Sequence, residues 1–394
     1  MDEDHISRFM VIETIIVILS ITFSVRATNN LIMTSIPLLA KYDFGFSQSL
    51  VGILSALASA STFLTTALIN AKLNAKNRRI SFVISNFLYT FILVGYWVSN
   101  NITIWMLTAA GGGLLGLIMP NIITSASLFK DSVLRERVLA LYTVFLSLSL
   151  ITGPAIESYL LHFVSLKEVF LVFALFGTLA TAMSPFMHFP LEKRTGEKTD
   201  VLKNPGFRVA LYNIMAYNIP FAILLAFAGI FEKDTFHISL SLVTLLFSLF
   251  YLSSFLSRIL LSIRPAKNVR TYMIGAMGIS LAGIVIMVLS NNIIIFVLAL
   301  LVLGIPHGLT YPLSVLTISR AFGPEHRNAA NSYFFSIMMF VGILLPLVGG
   351  FLVDTIGFRL TMTVITLIIA VLLVLTAITF RKWDAWRKAN ANSK

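Results

Sequence analysis

The sequence predicts an all-α membrane protein with twelve transmembrane helices in two pseudo-symmetric six-helix bundles. Three observations carry that expectation. Hydrophobic residues make up 57% of the 394 and charged residues only 12%, about half the charged share of a soluble globular chain. Apolar runs of the ~20 residues that a helix needs to cross a bilayer recur along the whole chain. A long polar break falls in the middle, and the sequences on its two sides resemble each other. With a mean hydropathy of +0.90, the composition excludes an ordinary soluble enzyme, a disordered protein and a disulfide scaffold. The absence of cysteine also excludes thiolate metal sites and thiol nucleophiles.

The apolar runs place helices near 8–39, 46–70, 79–99, 102–129, 135–162 and 167–189. A second set follows near 207–231, 237–262, 270–290, 292–320, 327–354 and 358–381. The first run is too long for a signal peptide and lacks a small-residue cleavage site, so it reads as helix 1. The breaks between the helices sort the charges. Of the 29 Lys and Arg residues, 24 fall on one side of the membrane: Arg8, the loops around 72–79, 130–137, 193–208, 258–270 and 320–327, and the tail from Arg381. The other side receives Lys41, Lys167, Lys233 and Arg359, and Arg26 alone lies inside a helix. By the positive-inside rule both termini are cytoplasmic. The net charge of +12 then needs only an anionic lipid surface as its partner, and no nucleic acid. Trp383 and Trp386, interleaved with Arg381, Lys382, Arg387 and Lys388, fit an interfacial anchor.

The polar break at 190–206 divides the chain into an N-terminal bundle, 1–189, and a C-terminal bundle with its tail, 207–394. Sliding the sequence by 192 residues lays Gly112, Gly116 and Pro120 on Gly304, Gly308 and Pro312. It also lays Arg135 and Pro154 on Arg327 and Pro346, and Lys41 on Lys233. With one residue of slack, Ala75, Lys76, Asn77, Arg78 and Arg79 match Ala266, Lys267, Asn268, Val269 and Arg270. Matched Gly, Pro and loop cations are not a product of apolar bias, so the halves read as a duplication. An even number of helices makes them parallel repeats, a design that usually holds substrate near the midplane.

With this duplication, the charged central loop and the basic loops after helices 2 and 8, the chain resembles a transporter of the major facilitator superfamily. The family's helix 2–3 loop reads roughly G-x-L-x-D-R-x-G-R-R, matched here by Leu73, Lys76, Arg78 and Arg79. Ala71 and Ala75 stand where its first Gly and its Asp would be. The exporters' helix 5 pattern G-x-x-x-G-P-x-x-G-G appears as Ser149, Gly153, Pro154, Glu157 and Ser158, with only Gly153-Pro154 intact. The helix 4 arginine of the drug–proton antiporters is absent near Thr108. The resemblance implies that helices 1, 4, 7 and 10 line the cavity, and that Lys76, Arg78, Arg79, Gly153, Pro154, Lys267, Arg270 and Pro346 serve gating or structure.

Arg26 is the most informative single residue, because a cation at membrane depth is costly and usually faces an interior cavity. Helical spacing puts Thr22, Arg26, Asn29 and Met33 on one stripe, with Asn30 beside it. Its planar donor fork suits a carboxylate, phosphate or polarised oxygen of a substrate. The alternative is a structural ion pair with Glu157. That carboxylate occupies a position where the second half keeps glycine, as Pro346, Gly349 and Gly350 show. Glu157 is either a proton-coupling residue or an acid at the outer end of helix 5, in water or against Lys167. His307 shares a face with Tyr311 and Ser314, and is a candidate for substrate binding or proton coupling, against a structural hydrogen bond. Asn121 and Ser125 in helix 4, and Tyr212, Asn213, Tyr217 and Asn218 in helix 7, complete the candidate substrate-binding set. Glu13 reaches the interface from the first turns of helix 1. Gly111, Gly112 and Gly113 lack the Lys-Ser/Thr of a phosphate loop.

The chain shows no catalytic constellation, no Walker motif and no metal-ligand cluster, so neither an enzyme nor a cofactor is expected. The expected function is secondary transport, as antiporter or symporter, of a small organic solute that is anionic or neutral and polar. The expected protein is a monomer in the cell membrane, driven by a gradient without nucleotide. Efflux of hydrophobic compounds, for which the surviving Gly153-Pro154 and the aromatic helices speak, is the alternative. A non-transporting sensor or lipid-handling relative is a third reading.

Overall fold

The computed structural model describes residues 8–126, 129, 131–189, 201–264, 266, 268–322 and 324–391. Residues 190–200 of the central charged loop, and Lys267, lie outside these. Among the described residues there is no β-strand. The helices are α1 (Arg8–Tyr42), α2 (Gln48–Lys72), α3 (Ala75–Trp97), α4 (Thr103–Ala126), α5 (Ser132–Leu160) and α6 (Leu166–Met183). They continue as α7 (Pro205–Phe236), α8 (Leu240–Ile263), α9 (Val269–Leu289) and α10 (Ile293–Ala321). A final helical run, Pro324–Ala391, is broken at Gly357, whose φ of 79° and ψ of 164° only glycine tolerates easily. We label its two parts α11 (324–356) and α12 (358–391).

Among the described residues, eleven stretches are long and apolar enough to cross a membrane, the last being Ala330–Asp384. At 1.5 Å per residue its 55 residues would run for about 80 Å, far more than one ~30 Å crossing. The break at Gly357 resolves the excess. The seventh helix is longer than the sequence spacing indicates. Asn204 caps its first turn by accepting from the amides of Gly206 and Phe207 at 2.8 and 3.3 Å, with Pro205 at the favoured first position. A π-helical turn at Leu224–Ala228 then carries it on to Phe236.

The chain divides into two compact units. One comprises Met1–Phe46, Ile53–Arg194 and Ser239–Ser248, the other Ser47–Gly52, Thr195–Ile238 and Leu249–Lys394. Each repeats the other's contacts at the 192-residue offset. In the first, a Cβ on Gly112 or Gly116 of α4 would collide with the carbonyls of Ala58 and Thr62 on α2. In the second, Gly304 and Gly308 of α10 stand in the same way against the carbonyls of Phe250 and Ser254 on α8. Small residues there let two backbones touch, and hydroxyls complete the seam. Thr62 and Thr66 donate to the carbonyls of Gly112 and Gly116 at 2.9 and 3.1 Å. Ser253 and Ser257 donate to those of Leu301 and Ile305 at 2.6 and 3.1 Å.

The loop cations repeat as well. Lys167 donates to the Ser99 carbonyl at 3.0 Å and lies 4.8 Å above the Phe44 ring. Arg359 donates to the carbonyls of Val288 and Ser290 at 2.9 and 2.6 Å and lies 5.5 Å from the Phe231 ring. Arg359 satisfies carbonyls at the end of α9 and Lys167 one just beyond the end of α3, where a cation also meets the negative end of the dipole. Burial raises the Asp43 carboxyl, in the α1–α2 loop, above its ordinary range, and Lys167 partly offsets this. The helix 2–3 loop is held similarly: Arg78 is buried and donates to the Leu73 carbonyl at 3.4 Å, and Arg79 donates to the Pro185 carbonyl at 2.7 Å. Lys76 is exposed.

Candidate functional site

Each unit carries its own polar cluster. In the first unit Arg26 sits at the midpoint of the span Val11–Tyr42. Its Nη2 donates to the Tyr142 hydroxyl of α5 at 2.9 Å, while its Nε is buried and has no hydrogen-bond partner. The guanidinium therefore keeps donor capacity after meeting Tyr142, its one side-chain partner among the described residues. Asn30 is buried one turn further on, and its amide nitrogen also has no partner. Asn29 is half-buried, its amide 3.5 Å from the Met33 sulfur.

Arg26 does not pair with Glu157. The Glu157 carboxylate accepts a short hydrogen bond from the Ser35 hydroxyl, and its second oxygen is buried without a partner. Ser35 lies nine residues beyond Arg26 on α1, about 14 Å along the axis, which is too far for an ion pair. Nor does Glu157 face water or Lys167, since it is 0% exposed and Lys167 is committed to Ser99. Gly153, one turn earlier on α5, packs at ordinary contact distance against Ala27.

Two further candidates of this unit make hydrogen bonds within it. The Asn121 amide donates to Asn70 Oδ1 at 2.7 Å and to the Leu117 carbonyl at 2.6 Å. Ser125 donates to the His188 carbonyl at 2.5 Å. Both tie α4 to neighbouring segments.

In the second unit His307 occupies the midpoint of the span Ile293–Ala321. Four aromatic rings surround its imidazole: Tyr217 and Phe221 of α7 at 5.2 and 4.8 Å, and Phe250 and Tyr251 of α8 at 5.3 and 5.5 Å. Its Nδ1 is 2.7 Å from the Ser254 hydroxyl, which fixes the ring orientation. The Tyr217 hydroxyl is buried and has no partner. The 192-residue offset places Val25, Asn29, Ala58, Ser59 and Leu115 of the first half on Tyr217, Phe221, Phe250, Tyr251 and His307. A duplicated backbone thus carries an aromatic cluster in one half alone.

Asn213 is 0% exposed and donates to the Thr310 carbonyl and the Ser314 hydroxyl, both at 2.9 Å, tying α7 to α10. Asn218 is half-buried, and Tyr311 packs beside Phe334 and Phe335 at 6.4 and 6.2 Å. Pro346 is buried within α11, with Gly52 of the same unit against its carbonyl. Arg270 lies 3.8 Å from Asp384.

Sequence reasoning missed several of these groups. Tyr142, Phe250 and Tyr251 sit on α5 and α8, off the helices expected to line the cavity. Glu232 falls one residue beyond the end that the apolar run gives helix 7. It lies within the longer α7, only 1% exposed, and neither carboxylate oxygen has a hydrogen-bond partner. No group of three or more His, Asp or Glu among the described residues is arranged to hold a metal ion.

Apolar spanning helices, duplicated glycine seams and polar groups at mid-span define a polytopic membrane protein of the transporter type. The Major Facilitator Superfamily family model matches residues 18–263 and 209–393. The chain belongs to that superfamily. No curated protein matches its sequence. Among solved structures, a point mutant of the nucleoside transporter NupG superposes with a TM-score of 0.77 at 12% identity, over 93% of this chain and 100% of that one. A bacterial homologue of the human lysosomal transporter Spinster gives 0.70 at 12% identity, over 95% and 96%. The human organic anion transporter MFSD10 gives 0.68 at 14% identity, over 93% and 99%. At such identities the likeness is one of fold.

Proposed function

We propose that the chain is a secondary transporter that moves a small organic solute, anionic or neutral and polar, by alternating access. Twelve crossings follow if α11 and α12 each span the bilayer, giving six-helix bundles 1–189 and 207–394 joined by the 190–206 loop. Both termini are then cytoplasmic, in the cell membrane. Arg26 carries the substrate reading. A guanidinium at mid-span whose Nε is buried and unsatisfied is costly unless an oxygen of the solute completes it. The similar folds named for nucleoside and organic anion transport handle solutes rich in such oxygens.

Counterflow in proteoliposomes, run against a panel of labelled organic anions, nucleosides and lipophilic cations, tests this. Exchange of an anion or a polar neutral solute is expected. Arg26→Lys keeps the charge but loses the fork, and weakens exchange roughly 10–100-fold, the range for a hydrogen bond to a charged group. Exchange of lipophilic cations alone, unaffected by that substitution, would instead establish hydrophobic efflux. Vesicles that bind solute without exchanging it would mark a sensor.

A further inference from the structure

A pocket of about 440 Å³ opens at one end of the second unit, away from the His307 cluster. Asn268, Val269 and Arg270 line it from the start of α9, Arg320 from the end of α10, and Phe380, Trp383 and Asp384 from α12. The apolar run of α9 begins at Val269, and that of α12 gives way to Arg381 and Lys382 just past Phe380. The pocket therefore lies where apolar span meets charged flank, the depth of lipid headgroups. Phe380 and Trp383 are buried, their rings 5.7 Å apart, and supply an apolar wall. The Arg270 guanidinium lies 6.0 Å from the Phe380 ring and 3.8 Å from the Asp384 carboxylate. Both partners of that ion pair are more than a third exposed, so it holds Arg270 only weakly.

The internal repeat shows what is different here. Arg79, the counterpart of Arg270, is taken up by the Pro185 carbonyl, because α6 has ended and turned at Ser184–Phe186. In the second unit α12 stays helical past Asp384, so its carbonyls remain committed to their own helix bonds. Arg270 thus faces an open pocket where its twin faces a carbonyl. Arg320 brings a second guanidinium, and two forks against a single carboxylate leave a net positive lining. We propose that this pocket binds the phosphate of an organophosphate anion, presented either by the headgroup of an anionic phospholipid or by a soluble phosphate ester.

The test uses the purified full chain in detergent, with phosphatidylglycerol or glycerol 3-phosphate as the added probe and melting temperature as the readout. At least one probe raises the wild-type melting temperature by about 3 °C or more. Which probe does so identifies the source of the phosphate. The R270Q/R320Q variant loses the shift. R381Q/K382Q removes the same charge from exposed positions of α12 outside the pocket, and keeps it. R270K/R320K preserves charge and loses both forks, so at least half the shift disappears even if R270Q/R320Q fails to fold. Absence of a shift with both probes overturns the proposal. So does an unchanged shift in R270K/R320K, or an equal loss in R381Q/K382Q, which would mean diffuse surface charge.

Discussion

Glu157 on α5 accepts the hydroxyl of Ser35 on α1, and the residues at the same two places in the second half are Gly349 and Phe227. A Cβ on Gly349 would run into the Ile223 side chain and lie 3.5 Å from the Phe227 ring. One repeat fills this volume with a carboxylate facing a small residue, the other with the Ile223 side chain and the Phe227 ring beside it, facing no side chain. Each repeat thus pairs a bulkier group on one helix with a small residue on the other.

That relationship makes a stability prediction. Ser35→Phe alone drives a ring into the Glu157 carboxylate and costs about 1–3 kcal/mol or more through overpacking. Glu157→Gly alone leaves Ser35 facing a void and lowers stability through lost packing. The S35F/E157G double variant takes on the second half's residues at these two positions and should recover part of the loss. A double-mutant cycle on melting temperature reads the coupling directly. Additive losses would mean that the two halves do not share this packing logic.

Tyr217 provides a cleaner probe of the aromatic cluster. Its hydroxyl is buried with no partner, so Tyr217→Phe removes an unsatisfied group and should leave the melting temperature unchanged or slightly higher. If the hydroxyl meets a transported solute, the same substitution lowers affinity about tenfold in counterflow without harming the fold. A drop in melting temperature together with unchanged affinity would make the hydroxyl a structural group instead.

Orientation can be tested because the chain has no cysteine of its own. A single cysteine at Asn100, in the loop between α3 and α4, should react with an impermeant maleimide in right-side-out vesicles. One placed at Thr195 in the central loop should react only after permeabilisation. The reverse pattern would overturn the assignment of the basic loops to the cytoplasm.

Much of this fold is legible in the sequence, because the repeat is written in residues whose roles are geometric. Gly112, Gly116, Gly304 and Gly308 recur at the 192-residue offset, since each meets a backbone carbonyl that tolerates no side chain. Arg26 and His307 stand out because ionisable side chains at mid-span are rare. The partners of these groups are less legible. Tyr142 looks like any aromatic in a membrane helix until its hydroxyl is found 2.9 Å from Arg26. Phe250 and Tyr251 likewise read as ordinary packing until they enclose an imidazole. Glu232, beside Lys233 and close to a loop, has the sequence context of a solvated interface residue. Its burial depends on how far α7 extends and on the packing of its end, where Phe231 meets Phe296 and Phe358 at 5.6 and 4.6 Å. No local pattern encodes that.

Energy coupling is the point on which these buried groups bear most. If transport uses a proton gradient, a titratable side chain sheltered from bulk water must take up and release the proton during the cycle. Among the acids and histidines of the described residues, Glu157 with one unpartnered buried oxygen, Glu232 with two, and the partly buried His307 with Nδ1 held by Ser254 are the candidates. Replacing the carrier by glutamine keeps the shape and removes the proton site. Uptake or efflux driven by an imposed pH gradient is then lost. Equilibrium exchange of labelled solute across the same vesicles persists, because exchange needs no net proton movement. We expect this split in at least one of Glu157→Gln, Glu232→Gln and His307→Gln, with the other variants retaining both activities. Melting temperatures separate the split from misfolding, since a misfolded variant loses exchange as well. Should all three variants still concentrate solute in response to a pH gradient, none of these groups carries the proton. A facilitator or solute-for-solute exchanger becomes the better description if the wild type also ignores the gradient.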